Sequence, residues 1–424
     1  MKDLLILGAG SAGTMMANHL VKKLDKHSWR ITIVDQEKVH YYQPGFLFLP
    51  FGINTEAQII RPLGQFIPKG VTLVNEPIDR IVGEENKVIL QNGETLHYDI
   101  VIVATGCRIA PDEVEGMHGD EWHKSIHDFY TFEGAKALTE KLANWEGGRL
   151  LMHVSEMPIK CPVAPLEFCF LADDYFQKRG IRDKVDITYV TPLGGAFTKP
   201  TAARKLGHML EEKGVSVVPD FYIERVDTDR QVIVDYGEQE VPYDLLVTVP
   251  PNMGDPCIER SGLGDDLNFI PTDKHTLQAK AFDNMFVVGD ATNLPTSKAG
   301  SVAHFEADVL AENIIRYING QELEPAFDGH ANCFIETGKG KGLLIDFNYE
   351  QEPVEGTFPI AGIGPLQLLR ETRLNHWGKL AFRWIYWNML LKARPLPMIS
   401  TPMQLAGKRI KPAEAPQPEE EPVG

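Results

Sequence analysis

Apolar residues near the start of the chain come in short unbroken runs, Leu4-Leu5-Ile6-Leu7 and Ile31-Thr32-Ile33-Val34. Runs of this length without alternation predict strands buried on both faces, the pattern of a parallel sheet. Between them a helix is predicted from a Gly-rich segment at 8–13 to about Lys23. Further strands are predicted over 98–106, 149–154, 185–190, 215–218, 243–249 and 284–290, and helices over 165–178, 202–213 and 301–319. Strands alternating with helices imply an α/β fold with parallel, doubly wound sheets. The same unit occurs twice, so two Rossmann-like dinucleotide-fold domains are expected, one from 1–112 with 265–327 and one from 113–264. From about 328 the pattern changes. Strands are predicted over 331–335 and 342–349, followed by Gly/Pro-rich segments and an apolar run at 380–391 broken only by Arg383 and Asn388. The region 328–411 is expected to be a separate C-terminal unit, and the Pro/Glu-rich tail 412–424 to be disordered.

Composition changes this picture in one respect. With 424 residues, 43% of them hydrophobic and 24% charged, the chain has an ordinary globular composition. Its net charge of −17 disfavours a nucleic-acid partner, because an acidic surface repels phosphates. The charge is uneven, however. Positions 361–411 carry nine Lys and Arg against one acid, Glu371, a local +8, and hold Trp377, Trp384 and Trp387. The first 360 positions carry −21. The apolar run is too short to span a bilayer. With Lys379, Arg383, Lys392 and Arg394 around it, it is expected to lie as an amphipathic helix in the plane of an anionic membrane, giving a peripheral (monotopic) protein. Packing on the body or on a dimer partner is the alternative, and a homo-oligomer stays open. Leu4 already begins a buried strand, so no signal peptide is expected.

Candidate chemistry lies in the turns. Gly8, Gly10 and Gly13 form G-x-G-x-x-G between a strand and a helix. The first glycine permits the tight turn, the second a close approach to a pyrophosphate, and the third helix–strand packing. The helix N-terminus, through Ser11 and Ala12, offers amide donors. Asp35, at the end of the second strand, is placed to accept from ribose hydroxyls. Pattern alone does not separate NAD from FAD. The second α/β unit has no such loop: its first strand is followed by Ser155-Glu156-Met157-Pro158-Ile159-Lys160-Cys161-Pro162, and its next strand ends at Thr191 rather than an acid. A nicotinamide cofactor finds neither a phosphate cradle nor a ribose acceptor there. Cys161 stands in that turn, beside Lys160 and close to a helix N-terminus, so a lowered pKa and a thiolate at neutral pH are expected. Cys169 falls on an apolar helix and reads as core, Cys333 taken alone as structural. Cys107 and Cys257 receive no role. Five Cys at irregular spacings suggest no disulfide framework, and no metal site is expected, His118, His123 and His127 included.

These residues resemble the sulfide:quinone oxidoreductases of the flavoprotein disulfide reductase superfamily. The resemblance rests on 8–13, Asp35, Ala104-Thr105-Gly106, Lys160-Cys161-Pro162-Val163-Ala164-Pro165, Gly289-Asp290, Thr296-Ser297-Lys298-Ala299-Gly300 and Cys333. Many members have a third Cys between the Ala-Thr-Gly turn and the Cys-Pro segment. None occurs here over 119–148, which resembles the two-cysteine subgroups and implies non-covalent FAD. The resemblance implies that Asp290 binds the ribityl chain. It also directs the N-terminus of the helix near Ser301, with Lys298 and Ala299, at the flavin. Cys161 and Cys333 become the redox pair, bridged directly or through sulfur. Hydrosulfide attacks the bridge by thiol–disulfide exchange, one Cys keeps a persulfide, and Cys333 delivers electrons to the flavin for transfer to a quinone. Glu167 is either a proton relay or a solvent-facing acid. In the family, aromatics of the C-terminal region line the quinone site, with Phe358 and Tyr386 as candidates. The alternatives are a sulfide dehydrogenase flavoprotein subunit with a cytochrome acceptor, an NADH:quinone reductase, and a redox-regulated binding protein whose flavin is structural.

Overall fold

The computed structural model describes residues 1–410, so Lys411 and the tail 412–424 lie outside the described residues. In chain order, β1 (Lys2–Leu7), α1 (Ser11–Lys23), β2 (Trp29–Val34), β3 (Val71–Val74) and β4 (Ile100–Val103) begin the first unit. A second unit follows with β5 (Ile126–His127), α2 (Phe132–Asn144), β6 (Gly148–Val154), α3 (Ala164–Lys178), β7 (Val185–Val190), α4 (Pro200–Glu212), β8 (Val215–Val218) and β9 (Leu245–Val249). The chain returns to the first unit with β10 (Met285–Val287) and α5 (Gly300–Ile318). It ends with β11 (Ala331–Gly338), β12 (Lys341–Phe347), β13 (Gly356–Ile360), β14 (Gly364–Leu368) and α6 (Arg373–Asn388).

The two large sheets share one topology. The first has the order β10-β4-β1-β2-β3 and the second β5-β9-β6-β7-β8. Every pairing in both is parallel. Leu4, Ile6 and Leu7 are fully buried because α1 lies on one face of this sheet and a small antiparallel meander with Ile81, Val88 and Leu90 packs on the other. On α1 the buried Ala12, Met15, Met16 and Leu20 recur at helical spacing and form its inner stripe. The C-terminal sheet is mixed, in the order β11-β12-β14-β13. α6 packs across β11, β12 and β14.

Two glycines close the first turn. Gly8 has a φ of +98°, and a Cβ added to Gly13 would lie 1.9 Å from the Gly8 carbonyl oxygen. Gly10 differs, since a Cβ there would meet nothing within 4 Å. The backbone at Gly10 is therefore bare toward open space, where a ligand can approach it.

The C-terminal helix departs from the expectation that its basic residues flank a membrane surface. Lys379, Tyr386 and Trp387 point inward and are buried, and Arg383 hydrogen-bonds Gln58 (2.8 Å) and Asn54 in the body. The helical period turns 379, 383, 386 and 387 onto one side, and the body offers that side acceptors and apolar cover. Leu374, Trp377 and Trp384 occupy the opposite side, with the two tryptophans 64% and 63% exposed. Among the described residues no helix is long and apolar enough to cross a membrane.

Candidate active site

One cavity of about 580 Å³ runs from the turn after β1 to the inner face of α6. Its walls include Gly8, Gly10, Ser11, Ala12 and Asp35 from the first turns, Ala104, Thr105 and Gly106 from the turn after β4, Gly289 and Asp290 after β10, and Lys298 and Ala299 at the start of α5. Gly13 is not in the wall; it packs beneath it, against Gly8. The sequence thus places these turns at the carboxyl ends of the strands of one parallel sheet, where such folds bind ligands.

The donor and acceptor set fits a dinucleotide. α1 begins at Ser11, so its first amides and the open flank of Gly10 face the cavity. The Thr105 hydroxyl is buried with no hydrogen-bond partner among the described residues, an orphan that a ligand would satisfy. Asp35 accepts from the Ala9 amide (2.5 Å) and the Glu37 amide (2.8 Å), which fixes its carboxylate at the cavity edge. Burial raises the Asp290 carboxyl above the ordinary carboxylate range, against the opposing pull of Lys298 and Lys160. Lys298 is itself buried. Its Nζ donates to the carbonyls of Asp290 (3.0 Å) and Thr292 (2.5 Å) and lies 3.8 Å over the Phe269 ring. Burial lowers its pKa, with Cys107 and Asp290 opposing.

Cys161 and Cys333 both line this cavity. Cys161 lies between β6 and α3, with a left-handed φ of +46° that is uncommon for a residue with a side chain. Its amide donates to the Lys298 carbonyl (2.7 Å), and its carbonyl accepts from the Ala164 amide (2.8 Å) and from the Tyr130 hydroxyl (3.3 Å). The second unit is thereby pinned against the first at the thiol. Cys333 sits in β11, near the point where Ser301 Oγ donates to the Asn332 carbonyl (2.8 Å). All five cysteines are unbridged.

The expectation of a neutral-pH thiolate at Cys161 is overturned. Burial pushes its pKa up to about 11, and the nearby Lys379 only partly offsets this. The helix N-terminus is present, but the Lys160 side chain turns away, toward Gln43 Oε1 at 3.4 Å. Desolvation of the charged form therefore outweighs the local positive end. Burial raises Cys333 as well, and the charge of Cys161 is the next cause. Cys107, also in the wall, is pushed up to about 12 by burial and by Asp290. Cys169 and Cys257 are buried away from the cavity.

Of the further residues at this wall, Glu167 and Tyr386 are candidates from the sequence, whereas the inward place of Lys379 is not legible in local sequence. Glu167 is fully buried rather than solvent-facing and lines the cavity. Lys379 from α6 meets it, its Nζ 2.8 Å from Oε1 and 3.0 Å from Oε2, and also donates to the Phe334 carbonyl at 2.9 Å. Burial alone would lower Lys379, but Glu167 and Cys161 outweigh it and the net shift is upward, so it stays an ammonium. On the same helix Tyr386 and Phe382 line the cavity, whereas Phe358 does not. The Tyr386 hydroxyl lies 2.6 Å from Ser11 Oγ and 2.7 Å from His40 Nε2. His118, His123 and His127 make no metal cluster: among the described residues there is no such group of three or more ligands.

Residues 2–151 match the family described as pyridine nucleotide-disulphide oxidoreductase. The chain is 30% identical over 397 residues to the mitochondrial sulfide:quinone oxidoreductase of Dictyostelium discoideum, spanning 92% of this chain and 86% of that protein. It is 27% identical over 396 residues to the mitochondrial sulfide:quinone oxidoreductase of Mus musculus, with the same 92% and 86% shares. In fold it is similar to the X-ray structure of the sulfide:quinone oxidoreductase from Aquifex aeolicus, with a TM-score of 0.75 at 20% identity, covering 93% of this chain and 92% of that chain.

Proposed function

The chain belongs to the sulfide:quinone oxidoreductase family, and on that premise we propose that it is an FAD-dependent enzyme that oxidises sulfide through Cys161 and Cys333 and reduces a quinone. The observation that carries this reading is the meeting of the two cysteines in one cavity with the dinucleotide turns. In the proposed site, Gly8, Gly10, Ser11 and Ala12 hold the pyrophosphate, Gly13 closes the turn from beneath, and Asp35 holds the ribose. Ala104, Thr105, Gly106, Gly289, Asp290, Lys298 and Ala299 hold the remainder of the FAD. When bound, FAD would supply a two-electron carrier between the thiols and quinone.

The cysteines do the sulfur chemistry. Hydrosulfide attacks a Cys161–Cys333 bridge; the S–S bond between the residues breaks, a new S–S bond forms to the incoming sulfur, and the other cysteine leaves as a thiolate. A leaving thiol with a high pKa is a poor leaving group, so charge near it matters. Lys379 lowers the pKa of both Cys333, the leaving thiol, and Cys161, and it is held in the cavity wall by Glu167. Tyr130 and the Lys298 carbonyl fix the backbone of Cys161 so that the thiol keeps one position.

An NADH:quinone reductase is disfavoured, because the turn between β6 and α3 carries Cys161 where a Gly-rich phosphate loop would be needed. The reading is tested by anaerobic bleaching. Sulfide is expected to bleach the flavin of the purified protein within its turnover time, while an equal concentration of NADH leaves the spectrum unchanged. Bleaching by NADH alone would sink the proposal.

Membrane attachment belongs to the same proposal. Support comes from the outward face of α6, with Leu374, Trp377 and Trp384 exposed, and from Ile363 exposed at the turn between β13 and β14. Aromatic and aliphatic side chains on an interfacial helix match the headgroup boundary, and Arg373 adds a cation there. The proposed anchor is this narrower patch rather than the whole basic segment, since Lys379 and Arg383 are engaged in the body. Trp377→Ser with Trp384→Ser is expected to lower the affinity for anionic vesicles, read by co-sedimentation, by about thirtyfold or more, since each buried aromatic is worth about a kilocalorie or more. Unchanged sedimentation would place the anchor elsewhere. A mass that falls from dimer to monomer in the double variant would show that a second copy covers this face.

A further inference from the structure

Resting on the proposed activity, we propose that His376 and Glu336 form the solvent end of a proton path that reaches the cavity at Glu167 and Lys379.

The reaction sets the need. Hydrosulfide, a quinone and one proton give zero-valent sulfur and a quinol. Two electrons leave the sulfide sulfur and both enter the quinone; the hydrosulfide proton and one further proton end on the two quinol oxygens. One proton per turnover must therefore cross from solvent to a buried site. At this part of the wall the polar side chains Glu167 and Lys379 are themselves buried.

The geometry supplies a row of exchangeable groups. The His376 side chain, on α6, is 20% exposed, and its Nδ1 lies 2.7 Å from Glu336 Oε2. Among the described residues its other ring nitrogen has no protein partner, so it is free to exchange with water. Glu336, on β11, is 2% exposed. Its amide donates to Glu167 Oε1 at 2.8 Å, which brings the two acids side by side. Lys379, one turn after His376 on α6, bonds both Glu167 oxygens. The groups facing Glu336 are thus Glu167 from α3 and His376 and Lys379 from α6.

Glu336 has the character of a carrier rather than an anchor. An anchoring carboxylate is expected to have both oxygens bonded. Here Oε2 meets His376 while Oε1 is buried with no hydrogen-bond partner among the described residues. Burial, opposed by His376 and reinforced by Glu167, pushes this carboxyl up to about 7, where it both gains and loses a proton near neutrality. Protonated at this buried Oε1, it holds a proton inside the protein, and the Glu167 carboxylate, already bonded to the Glu336 amide, is the acceptor beyond it.

The test uses the flavin-loaded protein with sulfide and a soluble short-chain quinone. Turnover is followed from pH 5.5 to 9, with and without added imidazole, for the wild type, His376→Gln and Glu336→Gln. His376→Gln sits at the surface and Glu336→Gln is isosteric, and thermal midpoints check that both fold. Turnover is expected to fall by about tenfold or more in each variant, most steeply above pH 7 where protons are scarce, with the His376→Gln loss relieved by imidazole. Wild-type rates and pH profiles in both variants would overturn the path. So would a loss that is uniform across pH and indifferent to imidazole, which would mark the pair as structural. Failure of the underlying activity shows elsewhere, as absence of sulfide-dependent quinone reduction in the wild type.

Discussion

Cys161→Ser is expected to abolish sulfide-driven flavin bleaching, with a loss in turnover of about a thousandfold or more. A serine hydroxyl forms neither a bridge to Cys333 nor a persulfide, so hydrosulfide has no S–S bond to attack. Cys333→Ser is expected to do the same, and the double variant to be no worse than either single one, because the two sulfurs act as one unit. Cys257→Ser, buried away from the cavity, serves as the control and is expected to keep its rate. Stopped-flow bleaching under anaerobic conditions reads all four. A Cys161→Ser protein that still bleaches at the wild-type rate would remove the thiol from the reaction. Flavin content must match across the set, since the Cys161 amide also ties the second unit to Lys298.

Lys379→Met carries the second large effect, on stability as well as rate. It leaves Glu167 buried without its cation, and removing one partner of a buried pair costs about 3–5 kcal/mol. Burial already raises the Glu167 carboxyl, with Lys379 holding it down; loss of the lysine raises it further. A carboxyl whose folded pKa lies above its unfolded one binds more protons in the folded state. Stability is then present at low pH and lost as pH climbs past the ordinary carboxylate range. The variant is therefore expected to have a lower thermal midpoint than wild type, with the gap wider at pH 8 than at pH 5. Adding Glu167→Gln is expected to recover most of the gap, because no buried charge then remains unpaired. A Lys379→Met midpoint equal to wild type at both pH values would mean that the pair contributes nothing to the fold.

Much of the architecture was legible because it rests on local pattern. The unbroken apolar runs at 4–7 and 31–34 are strands since both faces of a parallel sheet are covered, and the Gly8–Gly13 spacing needs only one turn to express itself. What escaped is non-local or weakly patterned. The meanders of Ile78–Val82, Lys87–Leu90 and Thr95–His97 are half-exposed antiparallel strands of mixed polarity. Lys379 was assigned to a membrane surface because helical spacing tells which residues share a face, not which face the body covers. Glu336 and His376 lie on different elements, and only the packing of α6 on β11 joins them. The Cys161 pKa went wrong for the same reason: a neighbouring lysine and a helix start are readable in order, whereas desolvation is set by residues from across the chain.

The bond between Ser11 and Tyr386 joins positions 375 residues apart. Its consequence concerns time rather than geometry. Ser11 leaves the ribosome among the first residues, yet the hydroxyl bonded to its side chain arrives with α6, after both large sheets have been synthesised. Lys379 and Phe382 reach the same wall with the same helix. A nascent chain halted before α6 therefore lacks this part of the cavity wall.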